Sequence, residues 1–145
     1  MKYLLSTALI LFTCTQAFAA EITPGNLVGR YKVEAKAGFQ RVYLNFRVVN
    51  TKEFELQRTY PDGHGDEVCN GTYSLSPSLF WEDIILASGK TFQGVFSCPS
   101  NRSRSINFNI DFENKTTDDL SQGTSVTVTS SLAPGRRINA YVKKQ

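Results

Sequence analysis

At 145 residues with a net charge of +3 and 41% hydrophobic side chains, the chain is long enough for one domain with a real core and too short for two comfortable ones. Its basic residues form no dense stripe, Arg102 and Arg104 being a local pair only, so the composition points to no nucleic-acid partner. No stretch is apolar over the roughly 20 residues that a membrane-spanning helix needs, and no transmembrane segment is expected.

In chain order, the opening residues carry Lys2, an apolar run over 3–12 and the small-x-small triplet Ala17-Phe18-Ala19, the three-part pattern of a secretory signal peptide. Cleavage after Ala19 divides the chain into a signal peptide (1–19) and a single domain (20–145) with a net charge near +2. Lipid anchoring through Cys14 is the poorer reading, because Phe12 and Thr13 fit the lipobox pattern badly and a better cleavage site follows. Export to the periplasm or the extracellular space is therefore expected. Removing Cys14 leaves Cys69 and Cys98, an even pair whose expected state in an oxidising compartment is one disulfide.

Beyond residue 26, apolar residues recur at every second position, which predicts strands. Leu27, Gly29, Tyr31 and Val33 share one face of the first, and Val42, Leu44, Phe46 and Val48 one face of the second. Shorter patterns follow at Phe54 and Leu56, over 69–75, and over 79–86 around Trp81. Phe92, Gly94, Phe96 and Cys98 alternate next, then Ile106, Phe108, Ile110 and Phe112. Val126 and Val128, and finally Ile138, Ala140 and Val142, complete about nine strands.

The gaps are short clusters of Gly, Pro, Asn, Asp and Ser, too short for parallel crossovers, so neighbouring strands should pair antiparallel. The longest gap, 113–123, is the one place for a short helical turn or a mobile loop. A meander of half-buried strands must close on itself or split into two sheets. The predicted fold is all-β: a single antiparallel up-and-down β-barrel of about 8–9 strands with one disulfide, the alternative being a β-sandwich. An outer-membrane barrel is disfavoured, because charged and amide faces leave no lipid-compatible band.

The stretch DGHGDEVC (62–69) holds the lone histidine, His64, with three carboxylates and Cys69. Asp62, His64 and Asp66 alternate as in a calcium loop, but Glu67 stands where such a loop needs glycine and Tyr73 where it needs glutamate. Pro61, Gly63 and Gly65 explain the segment as a wet hairpin loop, with no metal. There is no nucleophile elbow, no free cysteine after processing and no phosphate-cradling glycine loop, so no enzyme and no cofactor are expected. Asn70, Asn101 and Asn114 begin N-x-S/T triplets, glycosylation candidates in an animal secretory pathway, Asn70 least so because it falls inside a strand.

Leu27-Val28-Gly29-Arg30-Tyr31 resembles the G-x-W element of lipocalin-like, calycin-type β-barrels, with tyrosine in place of tryptophan, and Arg136-Arg137 precede the last strand where that group often has an arginine stacked on the aromatic. The resemblance implies a barrel closed at one end by Tyr31 with Arg136 or Arg137 and open to a ligand at the other. The interior aromatics Phe46, Phe54, Tyr73, Phe92, Phe96, Phe108 and Phe112 would then fill the barrel or line a pocket for a small apolar ligand. The other reading is a protein-interaction module, such as an exported inhibitor or an envelope-associated protein, acting through loops 60–67 or 99–104. An apolar void above about 300 Å³ would favour the ligand, and a filled interior the loops.

Overall fold

A computed structural model describes residues 20–77 and 90–145. The expected signal peptide and the strand expected over 79–86 lie outside the described residues. Eight strands form one closed antiparallel barrel in chain order: β1 (Gly29–Ala37), β2 (Gln40–Val48), β3 (Glu53–Thr59), β4 (Cys69–Pro77), β5 (Lys90–Cys98), β6 (Asn101–Asp111), β7 (Thr124–Ser130) and β8 (Ile138–Lys144). Every strand pairs with its sequence neighbours, and β8 returns to β1, with Tyr31 opposite Lys144 and Ala35 opposite Ala140. Closure leaves no unpaired edge, which a sandwich of the same strands would expose.

The inward faces are those of the alternation. Tyr31, Phe46, Val48, Phe54, Tyr73, Phe92, Ile110, Val126, Ala140 and Val142 are buried in one cluster, with Val33, Leu56, Phe96, Phe108 and Val128 packed against it. Two glycines on that face set its geometry. Gly71 lies between Phe54 of β3 and Phe96 of β5, and Gly94 between Tyr73 of β4 and Phe108 of β6. A Cβ on Gly71 would stand 2.5 Å from the Phe54 ring, and one on Gly94 2.6 Å from the Phe108 ring, so each missing side chain is the space into which an aromatic leans.

The first strand starts two residues later than the alternation predicts, because Leu27 closes a short helix, α1 (Pro24–Leu27). Thr23 and Asn26 form a reciprocal capping box there, and Pro24 supplies a preset φ at the first helical position. The gap at 113–123 holds the second helix, α2 (Thr117–Gln122), capped in the same way by Thr116 and Asp119. The Thr116 backbone N–H and hydroxyl, bonded to the Asp119 carboxylate, hold that carboxyl below its ordinary range.

The two ends of the barrel differ. At one end, residues 20–28 cross the opening as a strap, and Ile22 and Leu27 are buried together with Leu120 of α2. At the other end lie the β1–β2, β3–β4, β5–β6 and β7–β8 connections. Cys69 and Cys98 form the disulfide there, with an S–S distance of 2.02 Å and Cα atoms 4.3 Å apart, joining the first residue of β4 to the last of β5. Beside it the Ser100 backbone N–H donates to Glu67 at 3.0 Å, and the Ser100 hydroxyl also donates to that carboxylate, tying the β3–β4 loop to the β5–β6 hairpin.

Candidate ligand cavity

Strand register divides the interior into a filled half and a hollow half. Toward the strapped end the large side chains meet one another: the Tyr73 and Phe92 rings stack with centroids 4.5 Å apart, Phe46 and Phe54 lie at 5.2 Å, and Phe54 and Phe108 meet edge to face at 5.4 Å. Phe112 extends the cluster, its ring 6.4 Å from that of Phe92. Toward the other end, β7, β8 and β1 contribute Val128, Ile138, Ala140, Val33, Ala35 and Ala37, which are too small to reach the opposite wall. A cavity of about 320 Å³ remains, walled across from them by Leu44, Phe46, Leu56, Phe96, Ile106, Phe108 and Ile110. Ser130 supplies the only polar side chain among its lining residues.

Of the expected lining aromatics, Phe46, Phe96 and Phe108 face the cavity. Phe54, Tyr73, Phe92 and Phe112 instead belong to the packed half and serve as its floor. The sequence distinguishes inward from outward faces but not height along the barrel axis, which depends on register.

The sealed end is built differently from the resemblance. The cation over Tyr31 is Lys144, its Nζ 5.8 Å from the ring centroid, and Tyr31 and Lys144 are cross-strand partners. Arg136 and Arg137 are exposed in the turn before β8. That turn is at the far end of the strand, about 23 Å from Lys144 at roughly 3.3 Å per residue. Sequence position alone placed a cation near the last strand, and the antiparallel return of β8 puts its C-terminal residue beside Tyr31.

Four side chains hold the strap by its carbonyl oxygens. The Tyr31 hydroxyl donates to Leu27 O at 2.6 Å, Lys144 Nζ to Asn26 O at 3.0 Å and Lys90 Nζ to Ile22 O at 2.7 Å. The Tyr73 hydroxyl shares its one proton between Asn50 O, at 2.9 Å, and the strap's Pro24 O, at 3.4 Å. Burial pushes the Tyr31 phenol well above the ordinary value of 10.0, and the nearby Tyr73 adds to the shift. Burial raises the Tyr73 phenol as well. The sequence does not mark Lys90 and Lys144 for this role, since a lone lysine at a strand end carries no pattern that distinguishes it from a solvated one.

The loop holding His64 is an ordered turn. The His64 ring stacks on Tyr60 at 4.3 Å between centroids, with His64 Nδ1 2.5 Å from Asp62 Oδ1, and the Tyr60 hydroxyl donates to Asp66 at 3.0 Å. That hydrogen bond is the main cause of a raised Tyr60 phenol. Among the described residues, no three His, Cys, Asp or Glu side chains gather as a metal would need. Asn70, Asn101 and Asn114 are all exposed, Asn70 inside β4 beside the bridge. Wider depressions, of about 620 and 440 Å³, lie around Tyr43, Tyr60, Tyr141 and Lys32, and around Arg30, Arg47 and Glu55, each with a mixed lining of charged, polar and apolar side chains.

The arrangement defines a class: a small closed antiparallel barrel, pinned by one disulfide, sealed at one end and carrying an apolar cavity toward the other. Among the described residues, no helix is long and apolar enough to cross a membrane. Comparison with protein-family models, curated proteins and solved structures finds no match.

Proposed function

We propose that this chain is an exported, non-enzymatic binding protein of the lipocalin-like kind, holding a small apolar ligand in the cavity near its unstrapped end. The single observation that carries this reading is the void of about 320 Å³ with one hydroxyl among its lining side chains, since pockets of roughly 300 Å³ and above with mostly apolar walls are the usual form of small-molecule sites. A ligand burying about 250 Å² of apolar surface there gains roughly 6 kcal/mol on transfer, which corresponds to a dissociation constant in the tens of micromolar before the costs of association. The disulfide supports an oxidising compartment. Loop 60–67, ordered by the Tyr60–His64 stack, is the surface on which the interaction-module reading rests; the unfilled interior favours the ligand over it.

Titration with the fluorescent apolar probe N-phenylnaphthylamine tests the proposal. Saturable binding is expected, and Ala35→Phe, which places a ring in the void, should weaken it at least about tenfold while leaving the circular dichroism of the barrel unchanged. Absence of saturable binding, or affinity unaffected by Ala35→Phe, overturns it.

A further inference from the structure

The unstrapped end carries exposed apolar side chains and an unbalanced charge. Phe39, at the turn of the β1–β2 hairpin, is fully exposed, and Leu132, in the β7–β8 turn, is 56% exposed while also lining the cavity mouth. Leu132 packs in part at the cavity mouth, whereas Phe39 has no such role and leaves its whole phenyl ring in water.

Three of the four connections at this end, β5–β6, β7–β8 and β1–β2, are neighbours around the barrel. Together with the strand ends beside them, over 36–41, 98–104 and 130–137, they carry Lys36, Arg41, Arg102, Arg104, Arg136 and Arg137, and no acidic residue. Of these six cations only Arg41 has an ion-pair partner among the described residues, Glu34 at 3.2 Å, and the other five are exposed without one. The acidic residues of this end sit in the fourth connection, β3–β4, across the mouth from the β7–β8 turn, and each has a partner nearby: Asp62 with His64, Asp66 with Tyr60, and Glu67 with Ser100.

We propose that this half of the mouth docks on an anionic lipid surface, with Phe39 and Leu132 entering the headgroup and acyl boundary and the arginines facing lipid phosphates. Apolar side chains set among unpaired basic ones are what interfacial binding uses: the first gain from leaving water, the second from the negative surface potential. An acidic protein would complement the charge but would leave two separated apolar points without a matching pocket, whereas a fluid interface accepts them wherever they fall. Docking in this orientation brings the cavity mouth to the membrane and the strapped end to water. It needs no occupied cavity, so it stands apart from the ligand reading.

The test is co-sedimentation of the purified protein with vesicles of phosphatidylglycerol and phosphatidylcholine, compared with phosphatidylcholine alone, at low and at physiological salt. Partition into the anionic vesicles, weakening with salt, is expected. Phe39→Ala should lower the partition coefficient about tenfold, and Arg136→Gln with Arg137→Gln about fivefold per arginine. Lys52→Gln, which removes an exposed cation near the strapped end, should leave partition unchanged, and melting temperatures verify that each variant is folded. Equal partition into neutral vesicles, or an effect of Lys52→Gln matching that of the arginine pair, overturns the proposal, and absence of partition reassigns the basic rim to an acidic protein and overturns it too. Probe binding in the same preparations reports separately on the cavity.

Discussion

Gly94 faces Phe108 directly across the β5–β6 ladder, and the ring occupies the volume where a side chain would stand. Gly94→Ala forces that ring or the strand to move, in a core already filled by Phe92 and Phe46, both within 6.4 Å of Phe108 between centroids. Overpacking of this kind costs about 1–3 kcal/mol, and urea denaturation should show a loss in that range for Gly94→Ala. Adding Phe108→Leu to it should recover part of the loss, a coupling that a glycine acting through backbone freedom alone would not produce. The alternation in the sequence already puts Gly94 on the apolar face with Phe92 and Phe96. Its partner was not legible, because pairing Gly94 with Phe108 depends on the length of the β5–β6 hairpin, and the register shifts between the Phe96–Ile106 and Cys98–Asn101 pairs. Lys144 was hidden for the same reason: its neighbour Tyr31 is far away in sequence, and only closure of the barrel brings them together.

The strap over 20–28 is held by single hydrogen bonds to its carbonyl oxygens. Tyr31→Phe leaves the Leu27 carbonyl without its donor at a buried site, a loss of about 1–3 kcal/mol that thermal unfolding would measure. The phenols of Tyr31 and Tyr73 both ionise at higher pH folded than unfolded, so the folded barrel binds their protons more tightly. Their contribution is whole below pH 10.0, the unfolded value, and is lost as pH rises above it toward the folded values. The melting temperature should therefore fall as pH climbs past 10.0, with phenolate absorbance rising together with the loss of circular dichroism, and Tyr31→Phe should flatten that fall. At the opposite end the disulfide spans a sequence separation of 29 residues. The paired substitution Cys69→Ser with Cys98→Ser should cost about 3–4 kcal/mol by the loop-closure argument, read from the shift in urea midpoint. The strands and the bridge were legible because alternation and cysteine parity are local signals. The gap at 113–123, the place for a short helical turn or a mobile loop, holds α2, whereas Leu27, the last residue of α1, reads as strand because it continues the alternation, and the Thr23–Asn26 capping box is a weaker cue.

On the scale of the whole molecule, the barrel is filled at one end and hollow at the other, and the cause is the distribution of side-chain size. The lower interior brings together Phe46, Phe54, Tyr73 and Phe92, while β1 and β8 line the upper half with Ala35, Ala37 and Ala140. Single positions of small size are ordinary in cores, which collapse around them; here the hydrogen-bonded ladder closes on itself and prevents collapse, so the deficit in volume persists as a void. Such a void forgoes dispersion contacts, and a chain under no demand but stability would fill it. Ala35→Leu should therefore raise the unfolding free energy of the empty protein by about 0.5–1 kcal/mol, opposite in sign to Gly94→Ala although both add apolar atoms to the interior. The same variant should lose the stabilisation that a ligand confers on the wild type, which at a ligand concentration of about 100 times the dissociation constant amounts to about 2.7 kcal/mol. Differential scanning calorimetry with and without the probe separates the two effects: a higher melting temperature for empty Ala35→Leu and a smaller rise on adding probe identify the void as a site held open against stability, and a lower melting temperature when empty would mean that the upper half is already packed as tightly as the lower.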